Sequence, residues 1–252
     1  MKSQEQSKIY GLVGRNIGYS FSKKFFTEKF KKEKINCVYT NFDIQKIEEF
    51  KSIINEFNIH GLNVTIPYKE SIIDQLDSIN PIAKEIGAVN TIKIHNNVLS
   101  GYNTDYLGFY ESLKEIIKPN TKALILGTGG ASKAIAYALK LLKVKYVFVS
   151  RSKKNKDNIT YNEINQDIID KHKLIINCTP VGTHPETEQI PPIPISLINN
   201  QHIVYDLIYN PTKSLLLEKS QENGAMIING YQMLENQAIE SWKIWNSKPK
   251  QS

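Results

Sequence analysis

Three groups of residues in this 252-residue chain have types and spacings that suit chemistry. The first is Gly127-Thr128-Gly129-Gly130-Ala131-Ser132, which follows the apolar run 122–126 and precedes an apolar stripe at Ile135, Ala138, Leu139 and Leu142. A glycine turn between a strand and a helix lets backbone N–H groups hold a pyrophosphate at the helix N-terminus. Ser132 stands where GxGxxG has its third glycine, and the GK[ST] ending of a P-loop is missing. The turn therefore reads either as a dinucleotide site or as a structural turn. Past the next strand, an NAD-binding domain would carry an acid about 20 residues beyond the glycines. This chain has Ser150-Arg151-Ser152-Lys153-Lys154 there. An arginine can stack on adenine and pair with a 2′-phosphate, which points to NADP, with an ordinary basic loop as the alternative.

The second group is centred on Lys69 in Asn63-Val64-Thr65-Ile66-Pro67-Tyr68-Lys69. The pattern predicts a helix over 68–76, and a cation at its start opposes the helix dipole. Local stability would favour an acid there, so the lysine suggests another use; a solvent-pointing lysine is the alternative. The third group is Asn90 in Gly87-Ala88-Val89-Asn90-Thr91 and Asp105 in Asn103-Thr104-Asp105. On local sequence Asn90 reads as a turn former and Asp105 as a helix N-cap before Leu107 and Phe109. Ser20 and Ser22 read as caps of the first helix, and Tyr209 and Gln237 as surface or packing residues.

The elements that must position these groups follow from apolar spacing. Strands are expected over 9–14, 37–42, 61–66, 89–94 and 98–101, the last two joined by a turn at 95–97. Helices are expected over 22–32, 44–57 and 68–76. After Pro119 a second rhythm begins, with strands over 122–126, 146–149, 174–178, 203–206 and 226–228, and a final helix over 231–245. Strand, glycine turn, helix and strand in succession is the order of a dinucleotide-binding domain. The expected fold class is α/β: an N-terminal α/β substrate domain over 1–104, a Rossmann-like NADP-binding domain over 105–230, and a cleft between them. The C-terminal helix, within 231–252, is expected to pack back on the first domain.

Composition narrows the function classes. Hydrophobic residues make up 40% and charged residues 23%, which excludes a fibre or a disordered chain. No apolar run approaches the length of a membrane span, and no secretory leader pattern opens the sequence. Cys37 and Cys178 form no CxxC pair, which suits a reducing cytoplasm. The five histidines lack HxxxH or HExxH spacing, so no metal site is expected. The net charge of +7 permits an anionic ligand or nucleic acid, but no nucleic-acid motif accompanies it. The lysine-rich stretch 23–34 carries Glu28, Glu33 and an apolar stripe at Phe25, Phe26 and Phe30, as a solvated helix face would.

Taken together, these motifs resemble the shikimate dehydrogenases over nearly the whole chain. Ser20-Phe21-Ser22, NVTIPYK (63–69), GAVNT (87–91), NTD (103–105), GTGGAS (127–132), SRS (150–152), NCTPVG (177–182), YDLIYNP (205–211) and GYQMLENQ (230–237) fall in that family's order. The resemblance implies NADPH-dependent reduction of 3-dehydroshikimate to shikimate in aromatic amino-acid biosynthesis, with Lys69 and Asp105 as the catalytic pair. It implies that Ser20, Ser22 and Tyr209 hold the substrate carboxylate, and that Thr65, Asn90, Asp105 and Gln237 hold ring hydroxyls. It places Gly127, Thr128, Gly129, Gly130 and Ala131 on the pyrophosphate. Ser150, Arg151 and Ser152 fall on the 2′-phosphate, and Leu207 and Gly230 near the nicotinamide. The implied partners are the small-molecule substrate and NADP(H), without nucleic acid or membrane, in a monomer or homodimer. Tyr19 and Lys23 replace the family's usual His and Pro around the paired serines, and Tyr106 stands where glycine is common. A quinate or aminoshikimate dehydrogenase using NAD is the nearest alternative, and a non-catalytic relative and a nucleic-acid binder are the others.

Overall fold

The computed structural model describes residues 7–18, 20–153 and 158–248. Tyr19 and Lys154, both singled out in the sequence, lie outside the described residues. The chain divides into two compact units, Met1–Thr104 with Gln237–Ser252 and Asp105–Asn236.

The first unit contains β1 (Lys8–Gly14), α1 (Phe21–Lys32), β2 (Cys37–Asp43), α2 (Phe50–Glu56) and β3 (Ile59–Val64). It continues through β4 (Ser78–Ile79), α3 (Pro81–Ile86), β5 (Thr91–His95) and β6 (Val98–Tyr102). Its sheet runs β2-β1-β3-β5-β6-β4, with β1 parallel to β2 and β3, and β5 antiparallel to β3 and β6. Side chains alternate across the strands, so β1 feeds two cores. Val13 joins Phe42, Leu62, Ile72 and Ile92 in one core, while Tyr10 and Leu12 join Phe26, Phe30, Tyr39 and Trp245 in the other. The aromatic side is tightly interlocked. The Phe26 and Tyr39 rings stack at 4.8 Å, and Trp245 lies 4.9 Å from Tyr10 and donates its indole N–H to Ile92 O at 2.9 Å.

The second unit contains α4 (Asp105–Leu113), β7 (Lys122–Leu126), α5 (Gly130–Leu141), β8 (Lys145–Ser150), β9 (Asn158–Thr160) and α6 (Gln166–Lys171). There follow β10 (Leu174–Asn177), β11 (Ile203–Asp206), α7 (Leu215–Glu222), β12 (Met226–Asn229) and the start of α8 (Tyr231–Asn246). All of its strand pairs are parallel, in the order β12-β11-β10-β7-β8-β9. Parallel strands are covered on both faces and read as continuous apolar runs, as Leu124, Leu126, Ile175 and Val204 do here. Chain order reverses at β7, between β10 and β8. Open α/β sheets bind ligands at the carboxyl ends of strands beside such a reversal. Helix α8 begins in the second unit and ends in the first, with Ala238 and Trp245 in the aromatic core.

Two expected helices differ from the observed ones. Over 68–76 the chain makes turns and then a 3₁₀ helix, Ser71–Gln75. Tyr68 and Ile72 do share a buried face, but the α-helical pattern lasts one turn only, because the Lys69 carbonyl that Ile73 N would take accepts from Val89 N at 2.7 Å, and Ile73 N turns to Glu70 O at 3.2 Å. Over 44–57 the helical spacing resolves into a 3₁₀ turn, Ile47–Glu49, followed by α2. Elsewhere strand positions agree to within a few residues, and β4, α3, β9, α6 and α7 are additional.

Candidate functional site

The glycine turn occupies the reversal point of the second sheet. Gly127 leaves β7 at φ 106°, a left-handed conformation that side chains other than glycine resist, and its N–H reaches Val149 O at 2.8 Å. Gly129 precedes the first turn of α5, and a Cβ there would meet nothing within 4 Å. The backbone thus presents the N-terminus of a twelve-residue helix to open space. Ser132, at the third-glycine place, is fully buried in that first turn. Its Oγ is a buried atom without a hydrogen-bond partner among the described residues. A pyrophosphate fits this donor set. At the end of β8, Ser150 Oγ donates to Ser152 O at 2.5 Å, closing a turn that leaves Arg151 and Ser152 exposed. An exposed guanidinium beside a hydroxyl suits a 2′-phosphate.

A second set of loops leaves the same carboxyl edge. Asn177, at the end of β10, and Asp206, at the end of β11, are both fully buried. Asp206 Oδ1 accepts from Asn177 Nδ2 at 3.0 Å and from Ile208 N at 3.1 Å, and Oδ2 accepts from Ser214 Oγ at 2.5 Å. Asn177 Oδ1 in turn takes the N–H and hydroxyl of Thr179 at 3.0 and 2.6 Å. Burial pushes the Asp206 carboxyl up to about 6, against the three hydrogen bonds that favour its charge. Leu207 N reaches Asn177 O at 3.0 Å and Gly230 N reaches Ile208 O at 3.1 Å. Gly230 approaches so closely that a Cβ on it would stand 2.1 Å from Leu207 O. The structure therefore brings Leu207 and Gly230 together, with partly buried Tyr209 in the same loop.

In the first unit, Ser20 caps α1 by accepting from Lys23 N at 3.2 Å, and Ser22 is buried in the first turn. Ser20 lines an open depression with Gly18, Lys23, Lys24, Thr27 and Glu28. Thr65 crosses the end of β1, its N–H on Val13 O at 2.9 Å. Lys69 is partly buried in the turn that follows, and its carbonyl accepts from Val89 N at 2.7 Å. It does not begin an α-helix. The dipole argument for an unusual lysine therefore loses its basis, and five residues of 3₁₀ helix supply no comparable field.

Asn90 and Gln237 lie together among buried polar groups. Thr104 N donates to Asn90 Oδ1 at 2.7 Å, and Asn90 Nδ2 donates to Thr104 Oγ1 at 3.0 Å and toward Gln237 Oε1 at 3.5 Å. The backbone donor decides the amide orientation, so Asn90 turns its nitrogen toward Gln237. Asp105 follows directly and is the first residue of α4 rather than its cap, at 4% exposure. Tyr106 is buried, edge-on to Tyr137 at 5.1 Å, which explains how a tyrosine is accommodated there.

Fold and site define a class: an α/β protein with a dinucleotide-type parallel sheet in one unit and a mixed sheet lined by buried polar groups in the other. A family model described as the shikimate dehydrogenase substrate binding domain matches residues 12–92. A shikimate dehydrogenase (NADP(+)) of Clostridium botulinum is 40% identical over 246 residues, covering 93% of this chain and 95% of that one. The crystal structure of shikimate dehydrogenase from Aquifex aeolicus superposes with a TM-score of 0.86 at 38% identity, over 96% and 93% of the two chains. Another shikimate dehydrogenase, solved in complex with NADP+, gives 0.83 at 32% identity over 95% and 90%. The chain belongs to the shikimate dehydrogenase family.

Proposed function

We propose that the protein interconverts 3-dehydroshikimate and shikimate with NADP(H), within aromatic amino-acid biosynthesis. The observation that carries this reading is the 40% identity along 93% of the chain, which includes both units. NADPH, when bound, supplies the hydride that turns the ketone into an alcohol. The second unit holds it through the N–H groups of Gly127 to Ala131 at the head of α5, with Ser150, Arg151 and Ser152 on the 2′-phosphate. Leu207 and Gly230 flank the nicotinamide.

The first unit does the recognition. Ser20 and Ser22 bind the substrate carboxylate at the start of α1, aided by Tyr209. That first turn contains no acid, which leaves the positive end of the helix for the ligand. Thr65, Asn90, Asp105 and Gln237 hold ring hydroxyls. Lys69 donates the proton that converts the developing alkoxide into the hydroxyl, and Asp105 is its partner in the catalytic pair. The protein acts as a monomer or homodimer and binds no nucleic acid. The sequence holds two cysteines, Cys37 and Cys178, with no CxxC pair, which supports the cytoplasm as its compartment, and no helix among the described residues is long and apolar enough to cross a membrane.

The test is NADPH consumption with 3-dehydroshikimate, beside NADH and 3-dehydroquinate. Turnover confined to the NADPH and 3-dehydroshikimate pair is the expected result; a preference for NADH or the quinate-series ketone overturns it. Lys69→Ala should lower kcat by at least about 10²-fold, the low end for a positioned acid. Near-normal kcat in that variant would remove Lys69 from the chemistry.

A further inference from the structure

Between β3, β5 and α8 lies a closed group of polar side chains, none more than 5% exposed: Asn63, Asn90, Thr91, Thr104, Gln237 and Ser241. Only Asn90 and Gln237 have roles in the reading above. Ser241 is the junction. Its Oγ accepts from Asn63 Nδ2 at 2.9 Å, lies 2.8 Å from Thr91 Oγ1 and 3.2 Å from Thr104 Oγ1, and donates to Gln237 O at 2.9 Å. Thr91 Oγ1 and Thr104 Oγ1 both reach Asn90 Oδ1, at 3.0 and 3.2 Å. Tyr39 closes the far end, its hydroxyl on Asn63 Oδ1 at 2.8 Å.

Local preference does not explain this arrangement. Serine is a mediocre residue for a helix interior, and this one faces a side of α8 whose buried neighbours are Ala238 and Trp245. An alanine would suit the helix better, and burying three hydroxyls and three amides is costly unless every one is bonded. The bonds converge on the two side chains read as substrate contacts. Thr104 N, Thr91 Oγ1 and Thr104 Oγ1 hold the oxygen end of Asn90, and Ser241 Oγ holds the main chain of Gln237 one helical turn before it.

We propose that Ser241, with Thr91 and Thr104, is a positioning hub that aims the Asn90 and Gln237 amides at the ring hydroxyls of the substrate. The proposal rests on the reading of Asn90 and Gln237 as substrate contacts. Ser241 touches no substrate atom in this scheme; it acts through its neighbours.

The experiment compares Ser241→Ala and Thr91→Val, each a removal of one hydroxyl at nearly constant shape, with Asn90→Ala and Gln237→Ala and with the combined variants. KM for shikimate, KM for NADP+, kcat and thermal midpoint are measured for each. Ser241→Ala and Thr91→Val should raise KM for shikimate about five- to twentyfold, the range for one or two misaimed hydrogen bonds, with KM for NADP+ within about twofold. Ser241→Ala should add little further once Asn90 and Gln237 are both alanine, because its route to the substrate is then gone. A lowered thermal midpoint with unchanged shikimate KM in both hydroxyl variants overturns the hub as a positioning device. So does a Ser241→Ala effect that persists in full in the combined variant. If Asn90→Ala and Gln237→Ala themselves leave shikimate KM unchanged, the underlying site reading fails, and the hub fails with it.

Discussion

Replacing Asp206 with asparagine tests the electrostatics of the second unit. In the folded protein burial holds this carboxyl up to about 6, against an ordinary 3.8. The folded state therefore binds the proton more tightly than the unfolded state, and folding takes up a proton between those values. The stability Asp206 contributes is fully present below the lower value and is lost as pH rises through the higher one. At about 1.4 kcal/mol per tenfold difference in proton affinity, ionisation withdraws about 3 kcal/mol in total. Roughly half of that, about 1.5 kcal/mol, is withdrawn between about pH 5 and pH 7.5.

Asp206→Asn removes the titration and also disturbs the bonding. The carboxylate accepts three hydrogen bonds, from Asn177, Ile208 and Ser214. An amide has one acceptor oxygen, so either Ser214 or Asn177 must turn, at a cost of about 1–3 kcal/mol for a buried mismatch. That cost does not depend on pH. The parent should thus exceed the variant in stability by most at about pH 5, and the gap should shrink by about 1.5 kcal/mol at about pH 7.5. Urea unfolding of both proteins at several pH values reads this difference directly, because other titrating groups cancel between them. A gap that stays constant to within about 0.5 kcal/mol, or widens with pH, would refute the argument that desolvation outweighs the three donors.

Two further outcomes follow from close contacts and charge. Gly61→Ala should destabilise the first unit by about 2 kcal/mol, because its Cβ would stand 2.4 Å from Trp245 Cδ1 and displace an indole bonded to Ile92 O; an unchanged thermal midpoint would show that the C-terminal helix moves freely. Arg151→Ala should raise KM for NADP+ at least about tenfold while leaving KM for NAD+ within about twofold, as loss of one charge-assisted phosphate contact requires; equal effects on both would detach Arg151 from the 2′-phosphate.

The parts of the fold legible in the sequence are those set by local spacing. The glycine turn was readable because a strand, a turn and a helix stripe follow one another within about twenty residues. The parallel runs 122–126, 174–177 and 203–206 were readable because both faces of each strand are covered. What was not legible depends on partners far along the chain. The segment 68–76 shows helical spacing, yet it stops because the Lys69 carbonyl is taken by Val89 N, 20 residues later. Gly61 is an ordinary strand glycine until Trp245 is placed over it. Asp206 reads as the polar end of a strand, and only its burial makes it a group that titrates near 6.

The buried polar groups also join separate sequence motifs of this chain into one hydrogen-bonded set. Asn63 begins NVTIPYK, Asn90 and Thr91 end GAVNT, Thr104 is the middle of NTD, and Gln237 ends GYQMLENQ. These four segments are far apart in the chain, yet their side chains form one hydrogen-bonded set in the first unit. Asn63, Asn90, Thr91 and Thr104 each bond to another member, so changing one of them leaves a buried donor or acceptor without that partner. Motifs bound in this way are constrained together whether or not each residue touches a ligand. Ser241, four residues beyond the last motif, accepts from Asn63 and donates to the Gln237 carbonyl, and falls under the same constraint.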